Sequence, residues 1–276
     1  MVTNPRFRIL TFIGLGALMV YNLLPFYWMT MSSFKTTLEV ISFPVTFMPD
    51  APTLDAYRSI WMQEGFPVYF WNSIVTSGST AILSSVFGVF AAYGFSRFAF
   101  RGKALLMTVM LGSQMLPGIL LVGPYFEIMS IIELYNTRSG LVLALTTITL
   151  PFSVWMLKGY IDTLPVEIDQ AAMIDRASRL QTLLMVILPN ILPGLVATMT
   201  FAFLLAWGDV LWALCLISEP AVQPMTLGVL RLVGQFRVEW AQIMAATVIA
   251  SSIPAFFYVI LQRYLVQGFA GSAVKD

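Results

Sequence analysis

Six long apolar segments decide which fold classes are open to this chain. A helix needs about 20 apolar residues to cross the hydrocarbon core of a bilayer, because each residue advances it by about 1.5 Å. The six segments run from Ile9 to Met31, Trp71 to Phe95, Ala104 to Gly123, Leu141 to Leu157, Ile191 to Ile217 and Gln242 to Leu261. They are apolar on all faces and much longer than the roughly ten-residue alternating strands of a membrane barrel. The pattern predicts an all-α membrane protein with six transmembrane helices.

Charged residues are too few for a soluble protein of this length. They make up 11% of the 276 residues, whereas about a quarter is usual, and 58% of the residues are hydrophobic. The net charge of +1 provides no basic face for nucleic acid. The chain has no histidine, which removes His-based catalysis and His-ligated metal sites, and no G-x-x-x-x-G-K-S/T loop for phosphate. We expect no enzyme activity and no cofactor in this chain, so that any nucleotide is bound by a partner.

The distribution of Lys and Arg predicts the direction of the spans, because these residues tend to remain on the cytoplasmic side of short loops. With the N-terminus inside, ten of the 15 basic residues lie in inner segments and five in outer segments. The inner set is Arg6, Arg8, Arg97, Arg101, Lys103, Lys158, Arg176, Arg179, Arg263 and Lys275. The first span is expected to stay uncleaved, since its apolar run exceeds that of a signal peptide. Both termini are therefore predicted to be cytoplasmic.

The inner connection between the fourth and fifth spans, residues 158–189, is patterned as helix and not as a simple loop. Pro165 sits near a first-turn position, where its missing N–H costs little. Four positions then fall at i, i+3, i+4 and i+7, namely Ile168, Ala171, Ala172 and Asp175. We expect one narrow helix face made mainly of small residues, which would allow another protein to approach the backbone closely.

A second helix is predicted directly after the first. Ser178 and Gln181 have the spacing of a capping box. An apolar stripe suited to packing beneath the bundle follows at Leu180, Leu183, Leu184 and Ile187. Pro189 and Pro193 predict a bend at the entry to the fifth span. Spacing alone leaves two interpretations open, an amphipathic hairpin on the membrane surface and a docking element for another protein.

Residues 170–189 resemble a known signature. Gln170-Ala171-Ala172, Arg176 and Val186-x-Leu188-Pro189 are similar to the EAA signature of binding-protein-dependent ABC importer permeases, which reads E-A-A-x-x-x-G and then I-x-L-P. Gln170 replaces Glu, Arg176 replaces Gly and Val186 replaces Ile. Because Gly would adopt a left-handed turn at lower energy, we expect the turn at Arg176 to have a different shape. Arg176 would then either contact an ATPase carboxylate or be simply solvated.

The resemblance extends over nearly the whole chain and points to carbohydrate-uptake permeases of the maltose-transporter type. The similar segments are Ser33-Phe34-Lys35, Asn72-Ser73, Ala91-Ala92-Tyr93, Arg97 to Lys103, Ala206 to Trp212 and the tail from Gln262 to Lys275. The resemblance implies a type I ABC importer permease fold in a prokaryotic cytoplasmic (inner) membrane. Residues 1–276 would form a single transmembrane domain, with 158–189 as the cytoplasmic coupling loop within it.

The resemblance also implies partners and roles. The expected partners are the lipid bilayer, a homologous second permease, two ATPase subunits that bind ATP and Mg, and an extracytoplasmic solute-binding protein. In such permeases the first short helix of the loop seats in a cleft of the ATPase. The ATPase-coupling candidates are Glu167, Gln170, Ala171, Ala172, Asp175, Arg176 and Ser178.

Polar and aromatic residues within the spans are candidates for lining the translocation pathway. They are Gln114, Glu127, Trp207, Asp209 and Trp212. A carboxylate at membrane depth is costly and commonly functional, but Asp209 follows Gly208 and is also placed to cap a helix restart. The two tryptophans are alternatively interfacial anchors. Close helix packing is expected at Gly14, Gly16, Gly88 and Gly94.

The substrate class rests on the resemblance alone, and an oligosaccharide, a disaccharide or a related polyol is expected. Three alternatives remain, an ABC permease for a non-carbohydrate solute, an ATP-independent secondary transporter and a membrane-embedded enzyme, although the absence of histidine makes an enzyme harder to build. A secondary transporter should contain inverted repeats or paired broken helices, neither of which the sequence displays.

Overall fold

The computed structural model describes residues 5–62, 65–233 and 238–273. Arg237 and Lys275, which contribute to the predicted direction of the spans, lie outside the described residues. The helices are α1 (Pro5–Ser33), α2 (Thr37–Val40), α3 (Asp55–Met62), α4 (Phe66–Arg97), α5 (Lys103–Gly112), α6 (Gly118–Ile131), α7 (Arg138–Asp162), α8 (Glu167–Ile174), α9 (Arg179–Gln181), α10 (Leu188–Asn190), α11 (Leu192–Trp207), α12 (Leu211–Leu216), α13 (Met225–Arg231) and α14 (Trp240–Ala273).

Four of the predicted spans are single helices, and two are bent. In the part of the chain that the structure describes, α1, α4, α7 and α14 are each long and apolar enough to cross a membrane. The third predicted span is the pair Lys103–Met115 and Gly118–Ile131, which meet at 105°. The second bent pair is Arg179–Asn190 and Leu192–Trp207, which meet at 83°; Leu192–Trp207 begins the predicted fifth span, whereas Arg179–Asn190 lies almost entirely in the segment 158–189. Counting each bent pair as one span gives the six that the apolar segments predict.

Proline explains both bends. Leu116 is extended, with ψ of 127°, as expected for a residue that precedes a proline, here Pro117. At the second bend Ile191 separates the two helices, between Pro189 and Pro193, which confirms the predicted bend. The expectation that the chain contains no broken helices is therefore wrong, so broken helices alone do not separate an ABC permease from a secondary transporter here.

The fourth predicted span is longer and more buried than its sequence suggests. Its apolar segment, Leu141 to Leu157, is the shortest of the six, yet α7 has 25 residues. The Thr137 side chain caps its first turn by accepting a hydrogen bond from the Gly140 N–H at 3.0 Å. In its most apolar 18-residue stretch, two thirds of the residues are buried inside the chain, a larger share than in the corresponding stretch of α1, α4 or α14. This helix therefore lies at the centre of the packing.

Contacts within the chain divide it into two compact units. The first comprises Met1–Phe66 and Val229–Ser252, and the second comprises Pro67–Gly228 and Ile253–Asp276. In the first unit the loop after α1 folds onto the end of that helix. The Phe34 carbonyl accepts a hydrogen bond from the Thr53 N–H at 2.8 Å, and Ser33 and Tyr57 are joined through their hydroxyls at 2.8 Å. Lys35 is fully buried, where it donates to the Thr46 carbonyl.

The second unit contains three apolar clusters. One joins α6, α7, α12 and α13 through residues that include Met129, Leu145, Trp212, Leu216 and Leu227. A second joins α4, α7 and the segment after α9 through residues that include Val89, Tyr93, Leu157, Leu183 and Ile187. The third joins α4 and α11 through Ala81, Ala202, Phe203 and Trp207. The second cluster holds the segment 158–189 against the ends of α4 and α7.

The glycines that permit close packing differ from those that the sequence suggested. A Cβ at Gly14, Gly16 or Gly94 would meet no atom within 4 Å among the described residues. Gly88 does lie close to α7, since a Cβ there would be 3.1 Å from the Leu157 side chain. Much closer approaches to side chains are at Gly194, where a Cβ would lie 2.3 Å from the Tyr160 ring, and at Gly228, where it would lie 2.4 Å from the Tyr69 ring.

Candidate functional site: the segment 158–189

The helix α8 has a buried side and an exposed side. Ile168 packs against the cluster of α4 and α7, and Asp169 and Ala172 are buried. The exposed positions Glu167, Gln170, Ala171 and Ile174 also have the spacing i, i+3, i+4 and i+7, and we call them the exposed side of α8. The predicted small-residue face is thus wrong by about one position. Ala171 is available to another protein, whereas Ala172 packs within this chain.

The turn after α8 keeps the left-handed shape. Arg176 has φ of 61°. The Ala177 N–H donates to the Ala172 carbonyl at 3.0 Å, and the Arg176 N–H donates to the Met173 carbonyl at 3.0 Å. These two bonds form a Schellman motif, which normally has Gly at the left-handed position. The expectation of a differently shaped turn is therefore wrong, and Arg176, which is exposed, adopts the backbone conformation of the Gly that it replaces.

The second short helix begins with the predicted capping box. The Ser178 hydroxyl accepts from the Gln181 N–H at 3.3 Å, and the Gln181 side chain accepts from the Ser178 N–H at 2.8 Å. The helix then continues as a π-helix over Thr182–Ile187, which the sequence did not indicate. Of the predicted apolar stripe, Leu183 and Ile187 are buried, whereas Leu180 and Leu184 are exposed.

A buried ion pair, which sequence reasoning missed, fixes α8 to the end of α4. Arg97 Nε donates to Asp169 Oδ2 at 2.9 Å, and the Tyr93 hydroxyl donates to Asp169 Oδ1 at 2.9 Å. Arg97 Nη2 also donates to the Leu164 carbonyl at 3.0 Å. The side chains of Arg97 and Asp169 are only 5% and 2% exposed. Both carboxylate oxygens of Asp169 therefore have partners on α4, which satisfies the buried charge.

Further contacts surround this ion pair. The Ser96 hydroxyl donates to Asp162 Oδ1 at 2.6 Å, and Asp162 also pairs with Lys158 one turn earlier in α7. Phe98 packs edge-on against Tyr93, with ring centroids 5.9 Å apart, and the Arg179 guanidinium lies 5.5 Å from the Phe98 ring centroid. The ends of α4 and α7 and the first turn of α9 are thus held together around α8.

Asp209 acts as a helix cap in the structure. One oxygen of its carboxylate accepts a hydrogen bond from the Ala213 N–H at 3.0 Å, and the other lies 3.5 Å from the Trp212 nitrogen. Its backbone carbonyl accepts from the Thr226 hydroxyl at 2.7 Å. The contacts with the Trp212 and Ala213 nitrogens satisfy the carboxylate where the chain restarts as α12, which is the structural alternative that the sequence offered. A role for Asp209 in the pathway stays a prediction.

The remaining pathway candidates are dispersed. Trp207 and Trp212 are both buried, Trp207 in a stack with Phe203 and Trp212 against Tyr125, with ring centroids 5.7 Å and 4.7 Å apart. Gln114 is exposed and donates to the Ile148 carbonyl at 2.9 Å, and Glu127 is exposed on α6. Among the described residues, no three His, Cys, Asp or Glu side chains come together to hold a metal ion. The pathway roles of these four residues also stay predictions.

Comparisons with known proteins identify the family. Residues 84–271 match the model of the binding-protein-dependent transport system inner membrane component. The chain is 34% identical to the inner membrane ABC transporter permease protein YcjP of Escherichia coli (strain K12), over 100% of both chains. It is 33% identical to the trehalose/maltose transport system permease protein MalG of Thermococcus litoralis, over 97% of both chains.

A solved structure matches the fold. It is a chain of a bacterial ABC transporter involved in the import of the acidic polysaccharide alginate, which superimposes with a TM-score of 0.84. The match covers 96% of this chain and 98% of that one at 19% identity. This likeness confirms the predicted all-α permease fold, and the family match confirms a multi-pass protein of the inner membrane. The chain therefore belongs to the family of binding-protein-dependent transport system inner membrane components.

Proposed function

We propose that this chain is the permease subunit of an ATP-driven importer for an oligosaccharide, a disaccharide or a related polyol. It forms half of the translocation pathway together with a homologous second permease. Two ATPase subunits bind ATP and Mg and perform the hydrolysis, and an extracytoplasmic binding protein delivers the solute. Both termini lie in the cytoplasm, and the segment 158–189 couples this chain to one ATPase subunit.

The exposed side of α8 is the observation that carries the coupling role. Ile174 is 82% exposed and lies beside Ala171, and Glu167 and Gln170 extend this side with polar groups. An apolar centre with a polar rim is the usual anatomy of a protein interface. The small side chain of Ala171 permits close approach of a partner, and the anchored side of α8 provides a rigid base. Coupling then requires that the ATPase docks with different energies in its two states.

Sugar transport is supported by the names of similar proteins. The MalG protein is named for trehalose and maltose, and it is similar to this chain over almost its entire length. The structural neighbour imports alginate, which is also a carbohydrate. ATP-dependent uptake into proteoliposomes, measured with the purified complex and a panel of disaccharides, oligosaccharides and polyols, tests this assignment. Uptake that proceeds without ATP, or of a non-carbohydrate solute alone, would contradict it.

The coupling role is tested by placing a large charged residue on the exposed side of α8. We expect Ala171→Arg to leave membrane insertion and the folded permease unchanged, because the Ala171 side chain is exposed. The bulky guanidinium should keep the ATPase from seating, so that uptake into proteoliposomes falls at least about tenfold, which corresponds to about 1.4 kcal/mol. Copurification of the ATPase with the permease should fall in parallel.

Two further variants make this test specific. Ala99→Arg introduces the same residue at an exposed alanine in the turn after α4, outside the segment 158–189, and should leave uptake unchanged. Ala172→Arg is less informative, because Ala172 is buried and its replacement disturbs the packing of α8 itself. Uptake by the Ala171→Arg complex at the rate of the Ala99→Arg complex would rule out docking through this side of α8.

A further inference from the structure

An ATPase that displaces α8 can drive transport only if that displacement reaches the membrane helices. The buried side of α8 includes the apolar or small residues Ile168, which packs against the cluster of α4 and α7, and Ala172. Apolar contacts of this kind have no direction and allow neighbouring elements to slide. The carboxylate of Asp169 differs, because it accepts directional hydrogen bonds from two side chains of α4.

The geometry of these bonds prevents α8 from moving independently of α4. Asp169 uses both oxygens, one toward Arg97 and one toward Tyr93, and Arg97 also holds the Leu164 carbonyl just before α8. A shift of α8 along or away from α4 would separate the buried carboxylate of Asp169 from the buried guanidinium of Arg97. Separating a buried ion pair is strongly unfavourable, so the two helices should move together.

The other end of α4 is bonded to a different part of the second unit. The Asn72 side-chain amide donates to the Ala221 carbonyl at 3.0 Å and to the Gln223 carbonyl at 2.8 Å. The Ser73 hydroxyl accepts from the Met225 N–H at 2.7 Å. The α4 helix has 32 residues without a break, so it extends about 48 Å at about 1.5 Å per residue. A single rigid element thus connects α8 with residues 221–225.

We propose that Arg97 and Asp169 are positioning residues that transmit the displacement of α8 to α4, and through α4 to residues 221–225. Tyr93 supports them by holding the second carboxylate oxygen. This inference rests on the proposed function, since it assigns a route for the energy that the ATPase supplies. Arg97 and Asp169 lie outside the exposed side of α8. Docking of the ATPase on α8 and transmission through this pair would therefore be contradicted by different experimental results.

The test is the ratio of solute taken up to ATP hydrolysed, in complexes shown to retain the ATPase. Asp169→Asn preserves the size of the side chain and its acceptor for Tyr93 but removes the charge that holds Arg97. We expect the complex to assemble and hydrolyse ATP, while uptake per ATP falls at least about fivefold, the lower end of typical coupling effects. Arg97→Gln removes the charge of the other partner in the ion pair and should lower uptake per ATP in the same way.

Conservative and matched variants distinguish transmission from simple anchoring. Asp169→Glu and Arg97→Lys keep opposite charges in place and should recover most of the ratio. Glu133→Gln removes an exposed carboxylate in the turn after α6, outside the segment 158–189, and it should not change the ratio. A purely structural role for Asp169 predicts instead that Asp169→Asn loses the ATPase from the complex, and that result overturns the proposal.

An unchanged ratio in assembled Asp169→Asn and Arg97→Gln complexes also overturns it. The unaltered complex serves as the reference for the underlying function. If it shows no ATP-driven uptake, the proposed function is wrong. If it transports normally and the variants match it, only the transmission through Arg97 and Asp169 is wrong.

Discussion

Arg176 occupies a backbone conformation that costs a residue with a side chain about 1 kcal/mol or more relative to glycine. Its φ of 61° is imposed by the two hydrogen bonds that end α8. We expect Arg176→Gly to relieve this strain. The unfolded state of glycine has more freedom, which offsets part of the gain, so the free energy of unfolding should rise by several tenths up to about 1 kcal/mol. The midpoint of thermal unfolding in detergent measures the change.

Two variants serve as controls for this effect. Arg101→Gly makes the same replacement at an exposed residue without positive φ, so it should not stabilise the protein. Arg176→Val places a β-branched residue in the left-handed region and should lower the unfolding midpoint. A lower midpoint for Arg176→Gly than for the unaltered chain would show that the arginine side chain itself stabilises the turn.

Single residues were predictable where their partners are close in the sequence. Asp209 follows Gly208 and bonds to nitrogens three and four residues later, so capping was visible as an alternative. Ser178 and Gln181 are likewise three residues apart. Asp169 bonds to Arg97 and Tyr93, which lie 72 and 76 residues away. Burial of that charge depends on a tertiary contact that no local pattern encodes, although Arg97 and Tyr93 both lie in segments that resembled the family.

At the scale of elements, α8 shows how periodicity can identify a helix and misplace its face. Ile168 correctly marks the buried side, but the predicted face combined it with Ala171, which is exposed. The predicted face (168, 171, 172 and 175) and the exposed side (167, 170, 171 and 174) have the same spacing and share only Ala171. The choice between them depends on the buried Asp169, which a sequence pattern classes as polar, and on the exposed Ile174, which it classes as apolar. Asp169 and Ile174 thus reverse the usual rule that apolar residues are buried and polar residues exposed.

The crossing of α7 and α11 depends on Gly194. A Cβ at this position would lie 2.3 to 2.6 Å from three carbons of the Tyr160 ring. We expect Gly194→Ala to force the helices apart or the ring out of place, which should lower the free energy of unfolding by about 1 to 3 kcal/mol. Thermal unfolding of the purified permease in detergent measures this loss.

Gly159 provides the matched control for that substitution. It precedes Tyr160 in α7, is exposed, and has no atom of the described residues within 4 Å of a built Cβ. Gly159→Ala should therefore stabilise the helix by up to about 1 kcal/mol, because alanine has the higher helix propensity. Equal effects of the two substitutions would show that α7 and α11 are not closely packed at Gly194.

At the scale of the whole molecule, hydropathy identified the membrane segments but not the part that each plays. The first predicted span and the fourth are both strongly apolar. In the most apolar 18-residue stretch of α1, none of the residues is buried inside the chain, whereas two thirds are buried in the corresponding stretch of α7. Lipid, partner subunits and the chain's own core all accept apolar side chains, so composition does not distinguish them. The interrupted third span was also missed, although Pro117 carries the same kind of signal as Pro189 and Pro193.

Side-specific labelling tests the number and direction of the crossings. In a variant with Cys215→Ser, single cysteines replace the exposed residues Ala51, Ala99 and Ala221. The excess of Lys and Arg in the inner segments predicts that residue 99 lies in the cytoplasm and residues 51 and 221 outside. We expect a membrane-impermeant maleimide to label positions 51 and 221 in intact cells, and position 99 only after the membrane is permeabilised.

The same three positions report on the bent pairs. Three predicted crossings separate residue 99 from residue 221; the bend of 105° lies within the first of them and the bend of 83° at the entry to the last. If one pair returns to the side from which it started, positions 99 and 221 are labelled together. If the direction is reversed, only position 99 is labelled in intact cells. Labelling of 51 and 221 without 99 is the pattern expected when the inner segments, including 158–189, face the compartment that holds ATP.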